Sequence, residues 1–172
     1  MPHFNSIIQI PSANYRTDMP WSHLEGWLNS HGKLTVEMCP DFQRGHVWTD
    51  EQSIKYIEYI LRGGISGRDI FWNCKGWMRN FEGPLQLVDG LQRITAVLKF
   101  LRNEIPAFGH LYTEWEGTLS YDCGFRFHVH NMQNQEDVLK WYLDLNEGGV
   151  VHTTEELERV RELYDTARTS KK

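Results

Sequence analysis

Apolar positions along the chain recur with two different spacings, and the switches between them predict the elements. From 19 to 33, MPWSHLEGWLNSHGK sets Trp21, Leu24, Trp27 and Leu28 at helical intervals, with Gly32 as a stop. KLTVEMC, 33 to 39, alternates like a short strand. WTDEQSIKYIEYILRGG opens with Thr49-x-x-Gln52, a capping-box pattern, and carries Ile54, Ile57 and Leu61 as an inner stripe before Gly63-Gly64 ends it. DIFWNC and LQLVD read as strands around a glycine-containing turn. The second runs directly into a helix with Leu91, Ile94, Val97, Leu98 and Leu101 on one face. FRFHVH alternates as another strand. NQEDVLKWYLDLN gathers Val138, Trp141, Tyr142 and Leu145 on one helical face. TTEELERVRELYDTA offers a second capping box, Thr153-x-x-Glu156, ahead of Leu157, Val160 and Tyr164. About five helices and four or five short strands in mixed order predict an α+β domain with a small mixed sheet.

At 172 residues the chain suits a single domain with a real core, and we expect residues 1–172 to form one unit with no nuclease domain attached. No window approaches the roughly 18 apolar residues of a membrane span. The start, MPHFNSIIQIPSANYR, lacks the basic lead and apolar run of a signal peptide. Three scattered cysteines without C-x-x-C argue against a disulfide scaffold or zinc knuckle, so a reducing cytoplasm is expected. The net charge of -5 disfavours nonspecific grip on DNA, which counterion release drives.

Chemistry concentrates in three places. The first is Val88-Asp89-Gly90-Leu91-Gln92-Arg93. The first turn of a helix exposes unpaired N–H groups and a positive dipole end, so it suits phosphate. Gly90 permits close backbone approach, and Arg93 adds a bidentate fork. Asp89 could hold a divalent ion or orient a water, and Gln92 could position a nucleophile. The plainer alternative makes Asp89 an N-cap and Arg93 a surface residue. The second place is PDFQRGHVWTDEQ, a loop with Gln43 and Arg44 before a capped helix. Arg44 could reach a phosphate there. Trp48 could stack on a base, although core packing suits it better. The third is DLNEGG, where Asn146 precedes a Gly148-Gly149 turn and could donate its amide to a ligand. His128 and His130 share one strand face but lack a third metal ligand, and core roles suit them better. No P-loop, G-x-S-x-G or H-E-x-x-H pattern occurs.

Taken in order, Phe42-Gln43-Arg44 with Val47-Trp48, then Val88-Asp89-Gly90-Leu91-Gln92-Arg93, then Leu145-Asn146 with Gly148-Gly149 and Glu156-Leu157, resemble the GmrS-type family of ParB/sulfiredoxin-like domains. That resemblance implies a nucleoside-triphosphate-binding module, possible hydrolysis with Mg2+, and a place in modification-dependent restriction systems. It implies phosphates on Gly90 to Arg93 with Arg44 reaching across, Mg2+ or water at Asp89, and an attacking water at Gln92. An HNH nuclease would then sit on a partner subunit. Leu91 departs from the family's glutamine pair, which implies weakened hydrolysis. Sulfiredoxin chemistry needs a cysteine in this turn, and none lies between Val88 and Arg93. A DNA-binding or DNA-nicking domain and a non-catalytic docking protein are the competing readings.

Overall fold

The computed structural model describes residue 3 and residues 12–29, 34–43, 45–147 and 154–169. In chain order the elements are β1 (Tyr15–Pro20), α1 (Trp21–Asn29), β2 (Val36–Glu37), α2 (Asp50–Leu61), β3 (Asp69–Asn73), β4 (Leu85–Asp89), α3 (Leu91–Leu101), a 3-10 turn (Tyr112–Glu114), β5 (Gly124–His130), α4 (Gln135–Glu147) and α5 (Thr154–Thr169). The five strands form one mixed sheet in the order β1-β5-β3-β4-β2. β5 is antiparallel to β1 and parallel to β3, while β4 is antiparallel to β3 and parallel to β2. The expected α+β architecture is the observed one.

Strand alternation divides the buried side chains between two cores. Ile70, Trp72, Leu85, Leu87, Phe125, Phe127 and Val129 face the larger one, where α1 supplies Trp21 and Leu24 and α2 supplies Ile57 and Ile60. From α3 come Leu91, Ile94, Val97 and Phe100. The tryptophan load goes largely here: Trp27 lies 4.8 Å from Phe127 and 5.6 Å from Trp72 between ring centroids. On the opposite side Val88 meets Phe42, the α4 residues Val138, Leu139, Trp141 and Tyr142, and Val160 of α5.

The capping box at Thr49 is complete, with Gln52 N donating to Thr49 Oγ1 at 3.2 Å and Thr49 N to Gln52 Oε1 at 2.9 Å. The inner face of α2 is rotated from the expected one: Ser53, Ile57 and Ile60 are buried, with Ile54 and Leu61 at the margin. β1 was not expected, because YRTDMP lacks an alternating apolar set; its pairing with β5 holds it. Gly32, Gly148, Gly149 and the Thr153 capping box lie outside the described residues.

β4 carries a bulge. The register steps from Trp72↔Leu87 to Phe71↔Asp89, skipping Val88, which brings Asp89 opposite Phe71 at the end of the strand. Gly90 then turns the chain with φ 123° and is itself the N-cap of α3, without a side-chain cap. A Cβ there would collide with the Ile70 side chain. Gly90→Ala should therefore cost on the order of 3 kcal/mol, combining backbone strain and overpacking, as read by denaturant unfolding.

His130 is buried against Trp141, with ring centroids 4.1 Å apart. Burial pushes its pKa down from 6.5 to about 4, and the charges of His128 and Arg16 add to the effect. The unfolded chain thus binds this proton more tightly. Stability should fall as the pH drops from about 6.5 towards about 4 and level off below. A His130→Phe variant should lose about 1 to 3 kcal/mol of that acid dependence, measured as unfolding free energy against pH.

Candidate functional site

The β4–α3 turn presents the first N–H groups of α3 together with Asp89 and Arg93. Arg93 is no loose surface residue, because only 16% of its side chain is exposed. Its Nη2 donates to Asp89 Oδ2 at 2.6 Å and its Nη1 to the Asp69 carbonyl at 2.6 Å. A guanidinium so placed needs acceptors, and these two come from the ends of adjacent strands. Asp89, which is not the N-cap, keeps Oδ1 without a partner among the described residues.

Asp69 continues the cluster. Its carboxylate accepts from Arg126 Nη2 at 2.6 Å and from His128 Nε2 at 2.7 Å. Burial alone would raise the Asp69 pKa. Hydrogen bonds and charge from His128 and Arg126 outweigh that and hold it below the ordinary carboxylate value. An ionised carboxylate only accepts, so the His128 proton sits on Nε2. The His128 ring stacks on Phe71, with centroids 4.9 Å apart.

The other expected residues gather around this turn as braces. Gln92 Oε1 accepts from Val47 N at 2.8 Å and Trp48 N at 3.0 Å, and Nε2 donates to the Gly45 carbonyl at 3.0 Å. Gln43 Nε2 donates to the Val88 carbonyl at 3.3 Å, and Tyr142 of α4 donates to Gln43 Oε1 at 3.3 Å. Asn146 donates to the Tyr142 carbonyl one helical turn back, at 2.7 Å. Two of the three segments singled out in the sequence, 42–48 and 88–93, therefore meet at the β4–α3 turn, and α4 reaches it through Tyr142, one helical turn before Asn146. Trp48 is set apart, packed at the margin of the larger core with its ring 5.5 Å from Tyr56. Arg44 lies outside the described residues. Leu91 is 6% exposed and belongs to the larger core, so apolar packing explains a leucine at this position.

Asp69, Arg126 and His128 were missed as a group. Asp69 is a strand residue twenty positions from Asp89, and nothing in the sequence couples them. The one signal was the polar set Arg126, His128 and His130 alternating with Phe125, Phe127 and Val129. Among the described residues no group of three or more His, Cys, Asp or Glu is placed to hold a metal. Asp89 could supply one carboxylate oxygen to an ion held mostly by a ligand's own oxygens, which suits Mg2+. Burial pushes the Cys74 thiol up to about 11 and that of Cys123 upward as well, so both are unreactive. A cavity of about 450 Å³ lined by Phe100, Phe108, Tyr112 and Trp115 contains none of the turn residues.

Fold and site together define an α+β domain whose sheet ends in a charged, glycine-turned helix start. Residues 24–140 match the family described as the N-terminal domain of the GmrSD restriction endonuclease, and the chain belongs to that family. No curated protein and no solved structure matches it significantly. No helix among the described residues is long and apolar enough to cross a membrane.

Replacing Gln92 with Leu should release the 45–48 segment, since three hydrogen bonds vanish together. We expect a loss of about 1 to 3 kcal/mol, with faster hydrogen exchange at the Val47 and Trp48 amides while the β5 amides keep their protection.

Proposed function

We propose that this chain is the nucleoside-triphosphate-binding, regulatory module of a modification-dependent restriction system, and that DNA cleavage resides in an HNH nuclease partner. Membership of a restriction-endonuclease family supports the setting. The observation that carries the ligand class is the β4–α3 turn. There the start of α3, the largely buried Arg93 and the partly exposed Asp89 lie within one helical turn. Anions favour such a helix start, and an arginine fork fits phosphate oxygens.

In this reading the phosphates rest on the backbone from Gly90 to Arg93. Asp89 and Asp69 hold the Arg93 guanidinium in place before any ligand arrives, so little ordering remains for binding to supply. Bound Mg2+ would neutralise phosphate charge, with Asp89 Oδ1 as its protein oxygen. Gln92 acts by fixing the 45–48 segment to the turn, and Arg44 is the second cation assigned to the phosphates. Gln43 and Tyr142 brace α4 against the turn, and Asn146 donates its amide to the ligand. Trp48 stays in the core and leaves the base to other residues. The acidic balance of -5 disfavours the DNA-binding alternative.

A thermal-shift panel with the four ribonucleoside triphosphates, with and without Mg2+, tests the reading. One nucleotide should give a Mg2+-dependent rise, about 2.7 kcal/mol of stabilisation at a hundredfold excess over Kd. Arg93→Ala should abolish it. An equal rise in the variant overturns the placement of the phosphates, and no rise with any nucleotide in the native chain overturns the ligand class.

A further inference from the structure

At the end of the sheet, Asp89 on β4 and His128 on β5 both stand opposite Phe71 of β3, one on each side. Asp69 joins them physically. Its carbonyl oxygen takes Nη1 of Arg93, and its carboxylate takes Nε2 of His128. His128 is therefore connected to the phosphate-facing turn by two hydrogen bonds through one residue. Its ring is fixed by the stack on Phe71 and by Asp69, and 18% of the side chain remains exposed. With Nε2 committed to Asp69, Nδ1 carries the lone pair, and it has no hydrogen-bond partner among the described residues. A carboxylate that orients an imidazole, with the second nitrogen left open, is an arrangement suited to general-base catalysis.

The turn itself offers no such group. Gln92, the residue expected to manage an attacking water, has its amide oxygen taken by two backbone N–H groups and its amide nitrogen by a carbonyl. Arg93 only donates, and Asp89 gives Oδ2 to Arg93 and its open Oδ1 to the Mg2+ of the reading above.

We propose that His128 is the general base of nucleotide hydrolysis at this site, with Asp69 as its positioning residue; the inference rests on the nucleotide-binding reading above. In the step, a water oxygen forms a bond to the terminal phosphorus while the bond from that phosphorus to its bridging oxygen breaks. The water's proton passes to His128 Nδ1. The electron pair of the broken bond remains on the nucleoside diphosphate, and the products are that diphosphate and inorganic phosphate. Asp69 stabilises the imidazolium formed, and Arg126, on the other carboxylate oxygen, keeps Asp69 aimed.

The test uses the full chain, with phosphate release and the nucleotide-dependent thermal shift measured side by side. His128→Ala should lower turnover by about a hundredfold or more while keeping the Mg2+-dependent shift, and added imidazole should restore part of the turnover. Should that variant melt early, His128→Gln serves, with the same loss of turnover expected. Asp69→Asn should lower turnover and keep the shift. Turnover in folded His128 variants within about threefold of native overturns the inference, as does a loss that imidazole leaves unchanged in His128→Ala. A native chain that shifts with nucleotide but releases no phosphate overturns the inference alone. A native chain that never shifts overturns the binding reading, and this inference with it.

Discussion

The guanidinium of Arg93 is the junction on which this end of the molecule depends. It rises from the first turn of α3 and is satisfied by the end of β4 through Asp89 and by the start of β3 through the Asp69 carbonyl. A largely buried cation is tolerable only when its acceptors are in place, so the three elements are held to one geometry. Two local departures from regular structure make it possible. The bulge at Val88 brings Asp89 round to face Phe71, and Gly90 accepts a backbone angle closed to other residues at that position. Asp69 then extends the same network to β5 through Arg126 and His128. Structural stiffness and candidate chemistry therefore reside in the same side chains.

The elements were largely legible because their apolar spacing is strong. The α3 stripe, the capping box at Thr49 and the alternation of β5 each state their structure locally, and the α+β class follows from their order. β1 was illegible because it is half polar and depends on a partner more than a hundred residues away. The three motif segments could be seen to belong together only through a family resemblance. What joins the first two is a pair of glutamine side chains spanning about 45 residues to backbone groups, and spacing does not reveal that. The Asp69–His128 contact is more distant still, 59 residues apart and without a motif. The histidine pair was noticed, but its two members have different fates. His130 turns into the smaller core against Trp141, while His128 keeps its place beside a carboxylate.

Leu91, which the family resemblance sets apart as a departure, has a plain physical role. The position faces the larger core, where a leucine fills apolar space and a glutamine would need a polar partner. The neighbouring Gln92 points the other way and is satisfied by the loop. Adjacent residues at a helix start thus serve opposite faces, one building the core and the other tethering the segment that leads into α2.

The division into two cores has a mechanical consequence. Among the described residues the larger core holds 21 buried side chains and the smaller one seven. The helix pair α4 and α5 is fastened mainly by the smaller set, so its detachment is the cheaper of the two ways in which the molecule can come apart. Because Tyr142 reaches Gln43 and Trp141 covers His130, lifting that pair would strip one wall from the charged end of the sheet while the remaining strands and helices stay assembled. The domain is in effect a rigid chassis with a detachable cover. Unseating that cover would uncover the charged end of the sheet and leave the chassis undistorted.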